Sequence, residues 1–458
     1  MNKRIPLLRQ FLPQTNVLRI RPPDYIEEKE GFYLQVWGAE GYWQVVDREF
    51  RDLLKVVEQP ASLKTILREH PEWAVHRRDI QVQLRGMEKA GLTGKAPRPS
   101  PPPRIENVTI NLVTACNLDC HTCYVPQALR SGAKLDVKRL LDFLDELRPC
   151  FSSNATLSLL GGEPFLHPDG VVQAGLWAKR HKFACNVSTN GTIISDSLLK
   201  GLREAGLKVQ VSLDGAVAGT NDAIRGPGTF QKAIGTIQRL VECGIPTTLC
   251  MVCCQENIRE IPAYFRLAQK LGAGEVRFIP LKKLGNSKAG LVAPAPQYEI
   301  VKAICTELDA DPGLRPMCRS DIYSIVRSML RESSRRQTCG SGTQTLLVQA
   351  DGTIYPCINT TIPDLKLGHI AGGRAPALAK GADFGRLLSV DSSAHPCYGC
   401  HVKRWCLAGC PGETLQQAGA LNRPHWNCED LKQTITYVMW RLAHEQQSSE
   451  EKVARSLI

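Results

Sequence analysis

Long hydrophobic runs are missing from this sequence. No stretch approaches the ~20 consecutive apolar residues of a membrane-spanning helix, which excludes a helical span. The opening residues, MNKRIPLLRQFLPQ, carry charge but no apolar stretch of signal-peptide length, so a cytoplasmic location is expected. A basic tail is lacking too: 57 Lys and Arg against 45 Asp and Glu give +12, spread along the chain. There is no internal repeat beyond an alternation of strand and helix periods, and no low-complexity segment beyond one proline-rich stretch. Disorder is excluded by composition, with 43% hydrophobic and 22% charged residues in 458. Cysteine is what stands out: 18 is too few for a disulfide scaffold of this length, and in a reducing compartment cysteines read as metal ligands.

One boundary is plain. Lys95-Ala-Pro-Arg-Pro-Ser-Pro-Pro-Pro-Arg104 cannot continue a helix and reads as an extended linker over 96–104. Before it, over 1–95, strand-like segments at Val17–Arg21, Phe32–Trp37 and Tyr42–Val46 precede three helical ones. These are Arg48–Glu58, Leu63–Glu69 behind Ser62 as N-cap, and Ile80–Ala90 behind Asp79; together they predict a winged helix. After the linker, strands are expected at Val108–Val113, Thr156–Leu160, Ala184–Ser188, Val209–Leu213, Thr247–Val252 and Val276–Pro280. Helices fall between them, such as Val137–Leu147 capped by Asp136 and Ile258–Leu271 capped by Asn257. Six β/α units in succession imply parallel pairing, right-handed crossovers and functional loops at the strand C-terminal ends. Six units do not close an eight-stranded barrel, so the expected α/β core over 105–290 is a partial (β/α)6 barrel. A helical bridge is expected over 291–336. Over 337–458 the alternation stops and cysteine and glycine crowd in, which predicts a domain whose folding rests on bound metal.

Directly behind the first barrel strand stands Cys116-Asn-Leu-Asp-Cys120-His-Thr-Cys123-Tyr124. Three thiolates in so short a loop wrap one face of an iron–sulfur cubane and leave its fourth iron open to an outside ligand. A cofactor with its own chelating group, such as the amino-carboxylate of S-adenosylmethionine, fits that opening. An electron passed into its sulfonium breaks a carbon–sulfur bond and releases a carbon radical. A zinc knuckle of Cys120, His121 and Cys123 is the plainer alternative, but structural zinc wants four ligands and no second close pair lies nearby. The position at a strand's C-terminal end favours the cluster.

With this loop the sequence resembles the radical S-adenosylmethionine superfamily, and later strand ends follow that family's order. Gly161-Gly162-Glu163-Pro164, behind the second strand, is similar to the motif that receives the methionine ammonium. There the glycines let backbone approach the ligand and the carboxylate offers it an anion. Ser188-Thr-Asn190-Gly191 and Ser212-Leu-Asp214-Gly215 resemble the strand ends that line the cofactor's carboxylate and ribose. Arg225 is similar to a family arginine near that carboxylate, and Tyr124 to the aromatic lying against adenine. Singly such residues mark turns or surface ion pairs; at consecutive strand ends they form one pattern. The resemblance implies a 4Fe-4S cluster on Cys116, Cys120 and Cys123 with S-adenosylmethionine beside it.

The remaining block runs Cys339, Cys357, Cys397, Cys400, Cys406, Cys410 and Cys428, and resembles the seven-cysteine SPASM extension of the superfamily. Two zinc sites are the alternative, since Cys397-x2-Cys400 alone looks like a half-site, yet seven ligands do not divide into two sets of four. The resemblance implies two auxiliary clusters, three 4Fe-4S clusters in all. Cys397, Cys400, Cys406 and Cys428 would ligate one, and Cys339, Cys357 and Cys410 the other. Where some relatives supply an eighth cysteine, Ser333 and Ser334 stand here. Either Cys318 folds over to ligate or an iron stays open to substrate, and the second is favoured. Cys185, Cys250, Cys253 and Cys254 lie in apolar runs and read as small buried hydrophobes.

A winged helix raises the question of DNA. Residues 1–95 hold 16 Lys or Arg against 13 Asp or Glu, and in the last helix Arg85 and Lys89 are matched by Asp79 and Glu88. Phosphate neutralisation needs clustered positive charge, so no nucleic-acid partner is expected. The segment instead resembles the PqqD-like recognition domain of peptide-modifying radical enzymes, which binds a leader peptide as an added strand. Tyr33, Leu34, Tyr42 and Trp43 are candidates to line that edge. The whole layout resembles the sactipeptide maturases. It implies an enzyme that abstracts hydrogen from a leader-bound ribosomal precursor peptide and closes a crosslink, a Cys thioether first among the options, with a flavodoxin- or ferredoxin-type reductant. An anaerobic sulfatase maturase ranks lower, because Ile358 stands where that branch has an acidic residue, directly after Cys357. A cofactor- or heme-forming relative shares the layout. An iron–sulfur redox-sensing regulator is the non-enzymatic alternative, and the neutral recognition helix weighs against it. No His/Asp/Ser constellation marks a general base.

Overall fold

The computed structural model describes residues 17–93, 103–125, 131–318 and 336–455. The expected linker lies outside these residues except for Pro103 and Arg104, as do Ser333 and Ser334. The N-terminal elements are β1 (Val17–Leu18), β2 (Tyr25–Lys29), β3 (Phe32–Trp37), β4 (Tyr42–Val46), α1 (Arg48–Val56), β5 (Ala61–Ser62), α2 (Leu63–Glu69) and α3 (Arg77–Ala90). β2, β3 and β4 form an antiparallel sheet, and β1 pairs with β5. Asp47 and Ser62 cap α1 and α2 by accepting from the N–H groups of Phe50 and Thr65.

Three expectations need correction here. β2 was not foreseen: Tyr-Ile-Glu-Glu-Lys has no apolar alternation, because it is an edge strand with charges facing solvent. It turns into β3 through Glu30 and Gly31, both at positive φ (54° and 82°), the geometry that a two-residue hairpin requires. α3 starts at Arg77 because the 3₁₀ turn Pro71–His76 runs straight into it, so Asp79 lies inside the first turn rather than at the cap. Tyr33 and Leu34 belong to the central strand β3 and are buried, so they do not line an edge. The sheet is packed on both faces. Trp37 joins Leu53, Ile66, Leu84 and Met87 in a core under the helices, while Leu34 and Val36 join the main core of the molecule.

That main core surrounds six parallel strands. In chain order follow β6 (Ile105–Asn111), α4 (Val137–Leu147), β7 (Phe151–Leu160), α5 (Pro168–Arg180), β8 (Ala184–Thr189), α6 (Asp196–Ala205) and β9 (Lys208–Ser212). Then come α7 (Ala218–Arg225), α8 (Thr229–Glu242), β10 (Thr247–Cys253), α9 (Ile261–Lys270), β11 (Glu275–Pro280) and α10 (Gln297–Ala310). The strands lie in sequence order, each parallel to the next, which is the open six-unit array. Strands buried on both faces usually read as unbroken apolar runs. Here Leu157 and Leu159 of β7 and Val209 and Val211 of β9 face the helices, whereas Ser158, Gln210 and their neighbours line an interior cavity. Asp136 caps α4 as expected, accepting from Arg139 N–H. Asn257 does not cap a helix by its side chain; it donates to the carbonyls of Asp214 and Val252 and accepts from Cys254 N–H.

The sheet does not stop at the sixth strand. β12 (Thr345–Val348) pairs parallel to β6, and β13 (Thr353–Tyr355) and β14 (Gly368–His369) continue antiparallel. Helices α11 (Arg374–Leu387), α12 (Lys403–Cys406), α13 (Pro411–Ala418) and α14 (Cys428–Arg455) complete the cysteine-rich region. Its apolar residues Leu346, Val348, Val402, Trp405, Ile435 and Met439 share the main core, so this region does not lack one. Asp430 of α14 accepts from the N–H groups of Gln297 and Tyr298, closing the start of α10 onto the last helix.

Candidate functional site

The loop behind β6 carries Cys116, Cys120 and Cys123, all half-buried and none in a disulfide. Backbone from the ends of β7 and β11 fastens it. Gly162 N–H donates to the Val113 carbonyl at 2.7 Å and Glu163 N–H to the Ala115 carbonyl at 2.9 Å. A Cβ on Gly161 would come 2.5 Å from the Val113 oxygen, and one on Gly162 2.1 Å from that of Ala115. In this structure, then, the two glycines let backbone approach the cysteine loop. Pro164 opens a buried 3₁₀ turn behind them. From the other side Asn286, in the loop behind β11, donates its N–H to Cys123 O (2.8 Å) and its amide to Asp119 (2.9 Å) and Cys120 O (3.2 Å). Gly285, at positive φ, lies against Cys123 and Tyr124 where a Cβ would collide with their backbone.

Glu163 is fully buried. Its carboxylate accepts from Phe165 N–H (3.0 Å), the Thr189 hydroxyl (2.7 Å) and Asn190 N–H (2.7 Å), so it orients the end of β8. Burial pushes its carboxyl above the ordinary value despite these donors. The Asn190 amide reaches Asn117 (2.9 Å) and approaches Cys116 Sγ (3.9 Å), while its oxygen accepts from Thr192. Ser188 accepts from Gln210 at 3.1 Å, and Ser212 is the half-buried last residue of β9.

Asp214, also fully buried, pairs with Arg225 at 2.9 Å and accepts from Thr122 (3.1 Å) and Val252 N–H (2.8 Å). Arg225 Nη1 in turn lies 4.0 Å from Cys120 Sγ. Burial pushes the Cys120 thiol up to about 11, with Arg225 pulling the other way. The structure thus gathers Cys116, Cys120, Cys123, Tyr124, Gly161–Pro164, Asn190, Asp214 and Arg225 around one loop. Sequence reasoning assigned no role to Asn117, Thr122, Thr189 and Asn286, whose long-range contacts carry no periodic signal.

Among the described residues, Arg225 Nε and the Tyr124 hydroxyl are buried without a hydrogen-bond partner. Orphan polar atoms beside three thiols fit a group that the protein does not itself supply. No three His, Cys, Asp or Glu side chains among the described residues gather as they would around a single metal ion.

The second thiol set lies across the interior. A cavity of about 1210 Å³ runs from the strand interiors, past Asn186 and Gln210, to Cys339, Cys357, Cys406 and Cys410. Cys339 precedes β12 and Cys357 follows β13, so the hairpin brings them together. Cys410 is the N-cap residue of α13, and Asn359 ties it to Cys357, with its N–H 3.2 Å from Cys357 Sγ and its amide 3.5 Å from Cys410 Sγ. Burial pushes the Cys357 thiol up to about 11, and Cys410 and Cys339 add to this. Cys397, Cys400, Cys406 and Cys428 form a second group whose charges act on one another; burial pushes Cys406 up to about 12. Cys318 is packed in the main core, its backbone bridged to Val276, and does not line the cavity. Cys185, Cys250, Cys253 and Cys254 are buried, as small hydrophobes would be. The N-terminal sheet rests on the Cys400–His401 corner: Tyr25 stacks on His401 at 4.1 Å, and Arg404 donates to Ala39 O.

These features agree with the comparisons to known proteins. Residues 110–268 match the Radical SAM superfamily model. The mycofactocin maturase MftC of Mycobacterium tuberculosis is 26% identical over 327 residues, 70% of this chain and 82% of that protein. Among solved structures, native anSMEcpe with bound AdoMet and Cp18Cys peptide superposes with a TM-score of 0.62 at 19% identity, over 76% of this chain and all of that one. SuiB of Streptococcus suis bound to the precursor peptide SuiA gives a TM-score of 0.60 at 12% identity, over 90% of this chain and 98% of its own. The thiol loop, the strand ends that clamp it and these likenesses lead to one conclusion: the chain is an enzyme that carries a radical SAM domain over residues 110–268.

Proposed function

We propose that the protein is a radical SAM peptide maturase that closes a crosslink, first among the options a Cys thioether, in a leader-bound ribosomal precursor peptide. The observation that carries this reading is the cavity that runs from the barrel interior to Cys339, Cys357 and Cys410. A peptide segment inside it lies within the strand array whose ends carry the three-cysteine loop, and meets the second thiol set. Relatives point the same way, since MftC is named a maturase and SuiB was solved with its precursor peptide.

In this reading Cys116, Cys120 and Cys123 hold the radical SAM cluster, while Tyr124, Gly161, Gly162, Glu163, Pro164, Ser188, Asn190, Ser212, Asp214 and Arg225 shape the S-adenosylmethionine site. Cluster and cofactor, when bound, would supply the reductive cleavage chemistry that makes hydrogen abstraction from the peptide available. Glu163 and Asp214 fix the ends of β8 and β9, and Arg225 brings a cation to the cofactor's carboxylate. Cys397, Cys400, Cys406 and Cys428 hold one auxiliary cluster, and Cys339, Cys357 and Cys410 the other. The core placement of Cys318 supports an iron left open there. The units divide as 1–95 for leader recognition, 96–104 as linker, 105–290 as core, 291–336 as bridge and 337–458 as a SPASM auxiliary-cluster domain. The leader pairs along β2, one of the sheet's two edge strands, whose Ile26 is exposed. A flavodoxin or ferredoxin supplies the electron, and the protein works in the cytoplasm; among the described residues no helix is long and apolar enough to cross a membrane.

The test is turnover under anaerobic conditions with the peptide encoded in the neighbouring reading frame. The expected product has lost two hydrogen atoms, with 5′-deoxyadenosine formed alongside. Peptide-independent cleavage with no change in any leader-bearing peptide would refute the reading.

A further inference from the structure

Beside the cysteines at the far end of the cavity sits a charged group that the peptide chemistry leaves unassigned. Lys282 follows β11, and Glu413 lies on the first turn of α13, one turn from Cys410. Their side chains meet at 3.2 Å. Glu413 is nearly fully buried and also accepts the N–H of Lys283 at 3.0 Å and the indole N–H of Trp426 at 3.3 Å. Its orientation is therefore fixed. His425 completes the group: Nε2 lies 3.5 Å from Glu413, and the ring packs over Gly409, where a Cβ would come within 2.7 Å of it. Nδ1 of His425 accepts Asn427 N–H at 3.2 Å, so the neutral ring carries its proton on Nε2. Lys282, Glu413 and His425 all line the cavity with Cys357 and Cys410, and the charges of both cysteines act on the Lys282 ammonium.

We propose that Lys282, anchored by Glu413, raises the reduction potential of the cluster held by Cys339, Cys357 and Cys410. The inference rests on the auxiliary-cluster reading above. Uptake of one electron adds a negative charge to a cluster, and a cation or N–H donor beside its sulfurs stabilises the reduced form more than the oxidised one. Glu413 opposes this by its charge, but it also holds the ammonium in place against the thiolates. Lys282 is thus a tuning residue and Glu413 its positioning residue, and neither need touch the substrate.

The prediction has opposite signs for the two partners of one ion pair. In anaerobically reconstituted protein, potentiometric titration followed by electron paramagnetic resonance identifies the auxiliary signal as the one absent from the C339A/C357A/C410A variant. Lys282→Met should shift the one-electron equilibrium of that signal toward the oxidised form at least tenfold, ~59 mV for one electron. Glu413→Gln should shift it the other way, and Lys282→Arg should return it near the wild-type position. If Glu413→Gln alone does not fold, the double variant K282M/E413Q, which leaves the net charge unchanged, should lie between the single variant Lys282→Met and wild type. An unmoved potential in Lys282→Met with the signal present overturns the proposal and leaves the cluster reading intact. Shifts of one sign in both single variants overturn it as well, since they report loosened structure. Unchanged iron content in C339A/C357A/C410A removes the cluster reading and the proposal together.

Discussion

The two thiol sites solve the same problem in different ways. At the radical SAM end three cysteines lie within one loop, and the fold's work is to clamp that loop from the ends of β7, β8 and β11. At the auxiliary end Cys339, Cys357 and Cys410 come from a strand start, a strand end and a helix cap, and a hairpin and Asn359 assemble them. Each end sets a cation and a carboxylate beside a cysteine: Arg225 with Asp214 at one, Lys282 with Glu413 at the other. The difference lies in burial. Asp214 is sealed and Arg225 nearly so, whereas about a third of the Lys282 side chain faces the cavity. The first pair is locked in place beside the cysteine loop, and the second stays open to whatever fills the interior.

The largest effect that would break this comparison is loss of the local loop. C116A/C120A/C123A should abolish 5′-deoxyadenosine formation with dithionite and S-adenosylmethionine, as read by chromatography. Next comes the sealed pair: Asp214→Ala leaves Arg225 buried without its carboxylate and should cost about 3–5 kcal/mol in chemical unfolding. The close backbone approaches give a matched pair of tests. Gly162→Ala places a Cβ 2.1 Å from the Ala115 oxygen, and Gly412→Ala one 1.9 Å from the Asn359 oxygen. Each should cost about 1–3 kcal/mol by overpacking, with iron lost from the radical SAM end in the first and from the auxiliary end in the second. The smallest effect is Asn286→Ala, which keeps the backbone bond to Cys123 but removes the side-chain bonds to Asp119 and Cys120. It should lower stability by about 1 kcal/mol and speed iron release to a chelator.

What was legible in the sequence follows the same division. The six parallel strands and the three-cysteine loop are local patterns, a period of two, a period of 3.6 and a short spacing, and each stands where its segment predicts. The clamps were not legible. Thr122 meets Asp214, and Asn286 meets Asp119, across 92 and 167 residues, and single polar residues carry no periodic signal. The extension β12–β14 was hidden because its strands are short, and pairing of Thr345–Val348 with β6 depends on a partner more than 200 residues away. β2 was hidden because an edge strand can be charged on its outer positions. The glycines of Gly161-Gly162 were found for one reason, closeness to a ligand, and the structure adds another, closeness to the cysteine loop.

The central claim is that the protein pairs a site that makes the radical with a separate thiolate site that completes the reaction. The most direct measurement is iron content and 5′-deoxyadenosine formation in C339A/C357A/C410A beside the wild type. The account predicts that about four of roughly 12 irons are lost while cleavage of S-adenosylmethionine continues and the crosslinked peptide disappears. Unchanged iron, or crosslinked peptide formed at the wild-type rate, would contradict it.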